Sequence, residues 1–250
     1  MTVVIINQQR KPIMNIKDSV VFITGANRGL GLQLAKAALA AGAKRVYGAA
    51  RDPKSVTLPG VIPVQLDVTR HDDIAAVTRE FRDVTILINN AGIVRTGGIL
   101  ADNALEQARA EMETNVIGPM LLSKGFAPTL QTNGGGAIVN ILSVLAWYSQ
   151  GPTNTYSMSK SAAWALTNGL RIELAAQGTL VLGAHMGYME TDMTAGYDMP
   201  KVKPEDVAAK IFEALAAGKE EVLADELTHQ VKLGINADVP AYIAAAHAAA

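Results

Sequence analysis

The chain predicts an α/β fold: a single doubly wound parallel sheet of about seven strands with helices on both faces. Three observations carry that reading. Short apolar runs rich in β-branched residues alternate with longer stretches of helical period from one end of the chain to the other. Most of these runs are nearly continuous in apolar character, as parallel strands covered on both sides require. No Pro/Gly/Ser linker long enough to separate a pair of domains interrupts the alternation, and no internal repeat is present. One domain is therefore expected over residues 17–243, with 1–16 as an N-terminal extension and 244–250 (AAAHAAA from Ala244) as a tail.

Taken in order, the expected strands are Val20–Ile23, Arg45–Ala49, Val61–Leu66, Thr85–Ile88, Ala137–Leu142, Thr179–Ala184 and Glu221–Leu223. Between them, Leu30, Leu34 and Ala38 share one helical face, as do Ile74, Val77 and Phe81, and then Val207, Ile211 and Leu215. Pro204 stands where a first-turn proline is tolerated. Gly42, Gly178 and Gly218 follow helical stretches and read as their stops. The Gly118-Pro119 pair predicts a kink, because proline removes a bond from the helical ladder.

Composition narrows the function. The 250 residues are 49% hydrophobic and 18% charged, ample for a buried core. With 22 basic and 23 acidic side chains the net charge is −1, so no global field favours nucleic acid or an anionic membrane. Any phosphate must be bound locally. The absence of cysteine removes disulfides, thiolate metal sites and cysteine nucleophiles, and fits a reducing, cytoplasmic setting. The first residues lack the basic region that precedes a secretory signal, and no run approaches the roughly 20 apolar residues that span a bilayer. Neither a nucleic-acid nor a membrane partner is expected.

Local chemistry begins after the first strand. Thr24-Gly25-Ala26-Asn27-Arg28-Gly29-Leu30-Gly31 links that strand to a helix, an arrangement that turns backbone N–H groups and a positive helix end toward a pyrophosphate. Gly25 permits the tight turn, Gly29 close approach of backbone, and Gly31 close packing of helix on strand. Glycine turns also serve purely structural ends; the position after the first strand favours the phosphate.

The spacing TGxxxGxG resembles the glycine motif of the short-chain dehydrogenase/reductase family, in a carbonyl-reductase-like form, and departs from GxGxxG. The resemblance spans roughly Lys17 to Asp225 and rests on several motifs in order. It implies a Rossmann-type fold, a nicotinamide cofactor, and a homodimer or homotetramer. Asn27, Arg28 and Leu30 then join the three glycines in holding the cofactor. Asp67-Val68 corresponds to the family pair beside the adenine, although a lone Asp67 would more often cap a turn. Asn89-Asn90-Ala91-Gly92 matches the family NNAG, whose small residues let backbone lie close to the cofactor.

Cofactor choice is read at the end of the second strand. An acidic residue there would bind the ribose hydroxyls and favour NAD. This chain instead has Ala49-Ala50-Arg51, and a guanidinium suits a 2′-phosphate. NADP(H) is therefore preferred, with NAD(H) as the alternative. Asp52, one residue on, could offset Arg51, and both Arg28 and Arg51 could be ordinary surface residues.

Asn115, Ser143, Tyr156 and Lys160 fall where the family places its catalytic group. Tyr156 and Lys160 are four apart, on one helical face, and Ser143 ends the fifth strand at the edge where such sheets bind ligands. A pair of this kind can be mere surface decoration; its coincidence with three cofactor motifs argues otherwise. A nearby ammonium favours phenolate, so Lys160 is expected to lower the pKa of Tyr156. The resemblance gives Ser143 a hydrogen bond to the substrate oxygen and Asn115 a water linking Lys160 to solvent. It places Gly187 and Thr191 beside the nicotinamide.

One position departs from the pattern. The family has Pro-Gly after its sixth strand, whereas this chain reads His185-Met186-Gly187, leaving the loop less restrained. His185 is read as a structural histidine, and His71, His229 and His247 form no cluster, so no metal is expected. Substrate contacts are expected from Val94, Leu145, Trp147, Tyr188 and Met193. These are largely apolar and imply a small to medium hydrophobic carbonyl or alcohol. Three alternatives stand beside that reading: an NAD-linked alcohol dehydrogenase, reduction of a C=N bond, and a cofactor-sensing protein without turnover.

Overall fold

A computed structural model describes residues 14–247. Seven parallel strands form one sheet in the order β3-β2-β1-β4-β5-β6-β7. They are β1 Val20–Thr24, β2 Arg45–Ala50, β3 Val61–Gln65, β4 Ile86–Asn89, β5 Ala137–Ile141, β6 Leu180–His185 and β7 Glu221–Leu223. All seven expected strands are present, with ends shifted by at most one residue. The order reverses between β1 and β4, which opens a crevice at the carboxyl ends of the strands.

Helices cover both faces. They are α1 Gly29–Ala40, α2 His71–Glu80, α3 Ala104–Met112, α4 Gly118–Thr132, α5 Asn154–Glu173, α6 Pro204–Ala216, α7 Glu226–Gly234 and α8 Ala241–His247. Because side chains alternate along a strand, β1 feeds two cores at once. Val21 and Ile23 pack with Leu34 of α1 and Ile211 of α6, while Val20 and Phe22 pack with Leu122 and Phe126 of α4. Every β1 residue is buried, which is why that segment reads as a continuous apolar run. The glycines expected to stop helices, Gly42, Gly178 and Gly218, all take positive φ.

Ile16, assigned by the sequence to the extension, is buried in the core, and the tail begins inside α8. The remaining ends of those two segments, residues 1–13 and 248–250, lie outside the described residues.

The kink expected at Gly118-Pro119 takes a definite form. A π-helical turn, Glu113–Ile117, joins α3 to α4, and the Gly118 N–H donates to the Glu113 carbonyl five residues back. Pro119 has no N–H to offer the Asn115 carbonyl four residues earlier, so the widened register follows from the sequence. Asn115 sits in the middle of that turn. Gly118 is needed there: a side chain would begin 2.6 Å from the Val68 carbonyl oxygen.

Candidate active site

The glycine turn, the Asn89–Gly92 segment, Ser143 and the segment after β6 all lie at the carboxyl edge of the sheet, beside the switch point. Thr24, the last residue of β1, begins the assembly. Its hydroxyl accepts from the N–H groups of Asn90 (3.0 Å) and Ala91 (2.9 Å). In return the Asn90 amide donates to the carbonyls of Thr24 (2.8 Å) and Gly25 (3.1 Å). The two cofactor motifs are thus locked together.

Within the turn, Gly31 admits no substitute, since a Cβ there would lie 2.0 Å from the Gly25 carbonyl oxygen. Leu32 is the first residue of α1 whose N–H reaches back to Arg28, which leaves the N–H groups of Gly29, Leu30 and Gly31 ahead of the ladder. Three such donors at the positive end of a helix suit a pyrophosphate, and Asn27 stands half-buried beside them. The residues present therefore fit a dinucleotide.

At the adenosine end, Asp52 accepts from the Lys54 N–H at 3.0 Å and caps a short 3-10 turn. Its carboxylate is used locally, while exposed Arg51 lies close enough to Asp67 to act on its charge. Asp67 itself accepts from the Thr69 N–H (3.0 Å) and hydroxyl (2.7 Å), the turn-capping alternative. Burial alone would raise its carboxyl; the Thr69 bonds, Arg51 and Arg70 together bring it below the usual carboxylate range. Arg28 pairs across the cleft with Asp192 at 2.8 Å, both side chains being largely exposed.

Asn89 donates to Asn140 (2.8 Å) and Ser123 (3.2 Å), and Asn140 donates to Thr167 of α5 (3.0 Å). This buried chain ties β4 to β5, α4 and α5. A small cavity beside it is lined by Asn89, Asn115, Asn140 and Lys160. Gly92 leaves room for Asn115 and Lys160: a Cβ there would stand 3.1 Å from Asn115 Oδ1 and 3.9 Å from Lys160 Nζ.

The four expected catalytic residues converge. Lys160 Nζ lies 5.6 Å from the centroid of the Tyr156 ring and donates to the Ile141 carbonyl at 2.8 Å. Burial holds its ammonium down, to about 8. Ser143 stands two residues past the end of β5, and the Leu145 N–H donates to its Oγ at 3.1 Å. Tyr156 differs from expectation: its phenol is pushed above its ordinary value, first by burial and then by Glu111, against the hydrogen bond from Ser143. Desolvation of the phenol sets the direction, and the Lys160 ammonium, 5.6 Å from the ring centroid, does not reverse it. The Asn115 side chain is fully engaged, accepting from the Ile93 N–H and donating to the Ile93 carbonyl and Ser159, each at 2.9 Å.

Around this group, Val94, Leu145 and Tyr188 are half-buried and Met193 is exposed. Tyr188 packs on Tyr197, centroids 5.4 Å apart. Trp147, also half-buried, spends its ring on other partners: it stacks on His185 at 4.1 Å, meets Trp164 edge-on at 6.5 Å, and lies 5.8 Å from Lys232 Nζ.

Several residues that position the site were not singled out by the sequence. Asp225 caps α7 through Thr228 and with its other oxygen accepts from the Gly187 N–H at 2.6 Å. It restrains the loop where proline is missing, and the Asp-x-x-Thr spacing ahead of a helix was a legible capping signal. Gly29 and Thr191 face each other, a Cβ at Gly29 lying 3.4 Å from Thr191 Cγ2. Buried Glu111 accepts from the Arg95 N–H at 2.7 Å; no local pattern announced it. Among the described residues no cluster of His, Asp or Glu could hold a metal, and no helix is long and apolar enough to cross a membrane.

Comparison with known proteins shows the family and the fold. The family model for short chain dehydrogenases matches residues 19–201. A short chain dehydrogenase of Aspergillus terreus, tazN, is 31% identical over 74% of this chain, which spans only 44% of that protein. An oxidoreductase of Staphylococcus aureus is 27% identical over 82% of the chain and 94% of its own length. Among solved structures, a short chain dehydrogenase from Burkholderia cenocepacia in complex with NADP is 36% identical, with a TM-score of 0.87 over 94% of this chain and 98% of its own. A 3-ketoacyl-(acyl-carrier-protein) reductase from Brucella melitensis, complexed with NADH, is 25% identical with a TM-score of 0.76, covering 83% of this chain and 96% of its own.

Proposed function

The chain belongs to the short-chain dehydrogenase family of oxidoreductases, and on that premise we propose that it is an NADP(H)-dependent enzyme interconverting a carbonyl and an alcohol. The convergence of Tyr156, Lys160 and Ser143 beside a pyrophosphate-shaped turn carries the reading. The bound nicotinamide supplies or accepts the hydride. In the reductive direction Tyr156 gives the proton to the substrate oxygen. A phenol held protonated by burial is suited to that role, and Ser143 donates a hydrogen bond to the same oxygen as charge develops there. Lys160 stabilises the phenolate left behind. Lys160, whose ammonium donates to the Ile141 carbonyl, would be the residue to hold the nicotinamide ribose.

Asn115 acts through the π-turn. With its side chain spent on Ile93 and Ser159, it fixes the floor beneath Gly92 and Lys160, and its backbone carbonyl faces the task of holding water near Lys160. Gly187 and Thr191 would flank the nicotinamide, and Asp67, Val68, Ala91 and Gly92 would line the adenine and ribose.

NADP(H) is favoured because Arg51 directly follows β2 and Asp52 is occupied with its own turn. The NADP complex of the Burkholderia relative supports that choice, and the NADH complex of the Brucella one keeps NAD(H) as the second reading. A small to medium hydrophobic substrate suits Val94, Leu145, Tyr188 and Met193. Trp147 is assigned to the support of the site, given its partners. We place the protein in the cytoplasm as a homodimer or homotetramer.

The test is to follow NADPH and NADH oxidation in parallel against aliphatic and aryl ketones and aldehydes. Faster turnover with NADPH is expected. Turnover with NADH alone would reassign the end of β2, and tight cofactor binding without turnover would favour a sensing role.

A further inference from the structure

His185, the last residue of β6, is wholly buried, yet no step of the proposed reaction uses it. Its Nδ1 lies 3.2 Å from the Ser143 carbonyl oxygen. A carbonyl only accepts, so Nδ1 carries the hydrogen and Nε2 the lone pair. The ring is stacked on Trp147 at 4.1 Å with an interplanar angle of 20°. Nε2 has no hydrogen-bond partner; the nearest carboxylate, Glu221, stands 3.9 Å away and is itself paired with Lys232. Lys232 in turn faces the other partner of the stack, Trp147. Strand β6, strand β7, helix α7 and the turn after β5 thus hold one imidazole, whose single hydrogen bond goes to the serine of the active site.

The bond acts where β5 has ended. Leu142 and Val144 are tied to β6 through the carbonyls of Ala184 (2.8 Å) and Met186 (2.9 Å). Ser143 between them is held at its hydroxyl by the Leu145 N–H and at its carbonyl by His185. We infer that His185 is a positioning residue for this oxidoreductase: its imidazole clamps the Ser143 backbone so that the serine hydroxyl stays aimed at the substrate oxygen. The inference rests on the proposed reaction. Burial holds the imidazole neutral, near a pKa of about 4, so the clamp persists across the working pH range.

The test is a double-mutant cycle. His185→Phe keeps an aromatic ring on Trp147 and removes the bond; it should lower kcat about tenfold, the scale of one lost hydrogen bond, with cofactor KM unchanged. On a Ser143→Ala background the same substitution should cost nothing further, because the group it positions is gone. His185→Asn, which retains a donor near the Nδ1 position, should recover most of the loss. An unchanged kcat, or an equal tenfold loss on both backgrounds, overturns the inference. Nitrogen-15 NMR of the unsubstituted protein tests it without turnover: a hydrogen on Nδ1 is expected, and one on Nε2 would overturn it. Absence of turnover in the unsubstituted enzyme would instead fail the proposed function.

Discussion

The two sides of the cleft are built differently. On one, the ends of β1, β4 and β5 and the helix α5 are joined by buried side-chain bonds: Thr24 with Asn90 and Ala91, Asn89 with Asn140 and Thr167, Asn115 with Ile93 and Ser159. On the other, the chain from Gly187 to Lys203 carries one isolated bridge, Met189 to Val202, and is pinned by Asp225 at its start and by the exposed Arg28–Asp192 pair across the cleft. The candidate catalytic groups sit among elements joined by buried bonds, while the candidate substrate contacts Tyr188 and Met193 sit on a segment with few fixed contacts. The sequence departs from the family pattern at Met186, where the two sides meet: its side chain is buried in the core and its carbonyl accepts from the Val144 N–H.

That contrast predicts that damage to the first side costs far more than damage to the second. Gly31→Ala should have the largest effect. Helix propensity alone would favour alanine by about 1 kcal/mol, but a Cβ 2.0 Å from the Gly25 carbonyl forces backbone apart. Net destabilisation of about 1–3 kcal/mol is expected in thermal melts, together with loss of dinucleotide binding by titration. Lys160→Met should lower kcat about 100-fold while the fold survives, since the phenolate loses its nearest cation. Arg51→Ala should raise the KM for NADPH about tenfold and leave NADH unmoved, as loss of one charge-assisted contact predicts.

A pH experiment sharpens the comparison within the first side. His185 is held near 4, below the ordinary 6.5, chiefly by burial and also by Lys232, Arg171 and Lys160, against the Ser143 bond. Between those values the unfolded chain binds the proton and the native chain does not. Stability therefore rises with pH from about 4 to 6.5, and falls as pH drops through that window. His185→Phe should flatten this region of the curve in chemical denaturation; an unaltered slope would show that other groups produce it. The smallest effect belongs to the loose side. Asp192→Asn breaks an exposed pair worth at most about 1 kcal/mol, so cofactor KM should shift by no more than a few-fold, less still at high salt.

The sequence made the rigid side legible and the loose side much less so. Strands such as β1, buried on both faces, must be apolar throughout, and helices such as α6 must repeat Val207, Ile211 and Leu215 on one face. The family resemblance, supported by their spacing, pointed to Tyr156, Lys160 and Ser143 as candidates. What spacing could not convey was a balance of long-range terms. Lys160 is expected to lower the Tyr156 phenol, whereas desolvation of the phenol itself, with Glu111 adding to it, raises it. Trp147 read as a pocket residue because apolarity does not say which way a ring turns; its partners Trp164, His185 and Lys232 lie 17, 38 and 85 residues away in the chain. Asp225 bonding Gly187 is likewise a contact across 38 residues, visible beforehand only as a helix cap.

The central claim is that Tyr156 moves the proton. Tyr156→Phe removes one oxygen from a site otherwise held by backbone and buried amides, so it should leave the NADPH dissociation constant within about twofold while turnover falls by about 1,000-fold or more. Measuring both quantities on the same preparation is the most direct test. Retained turnover would contradict the account outright, because no other proton donor has been assigned to the substrate oxygen.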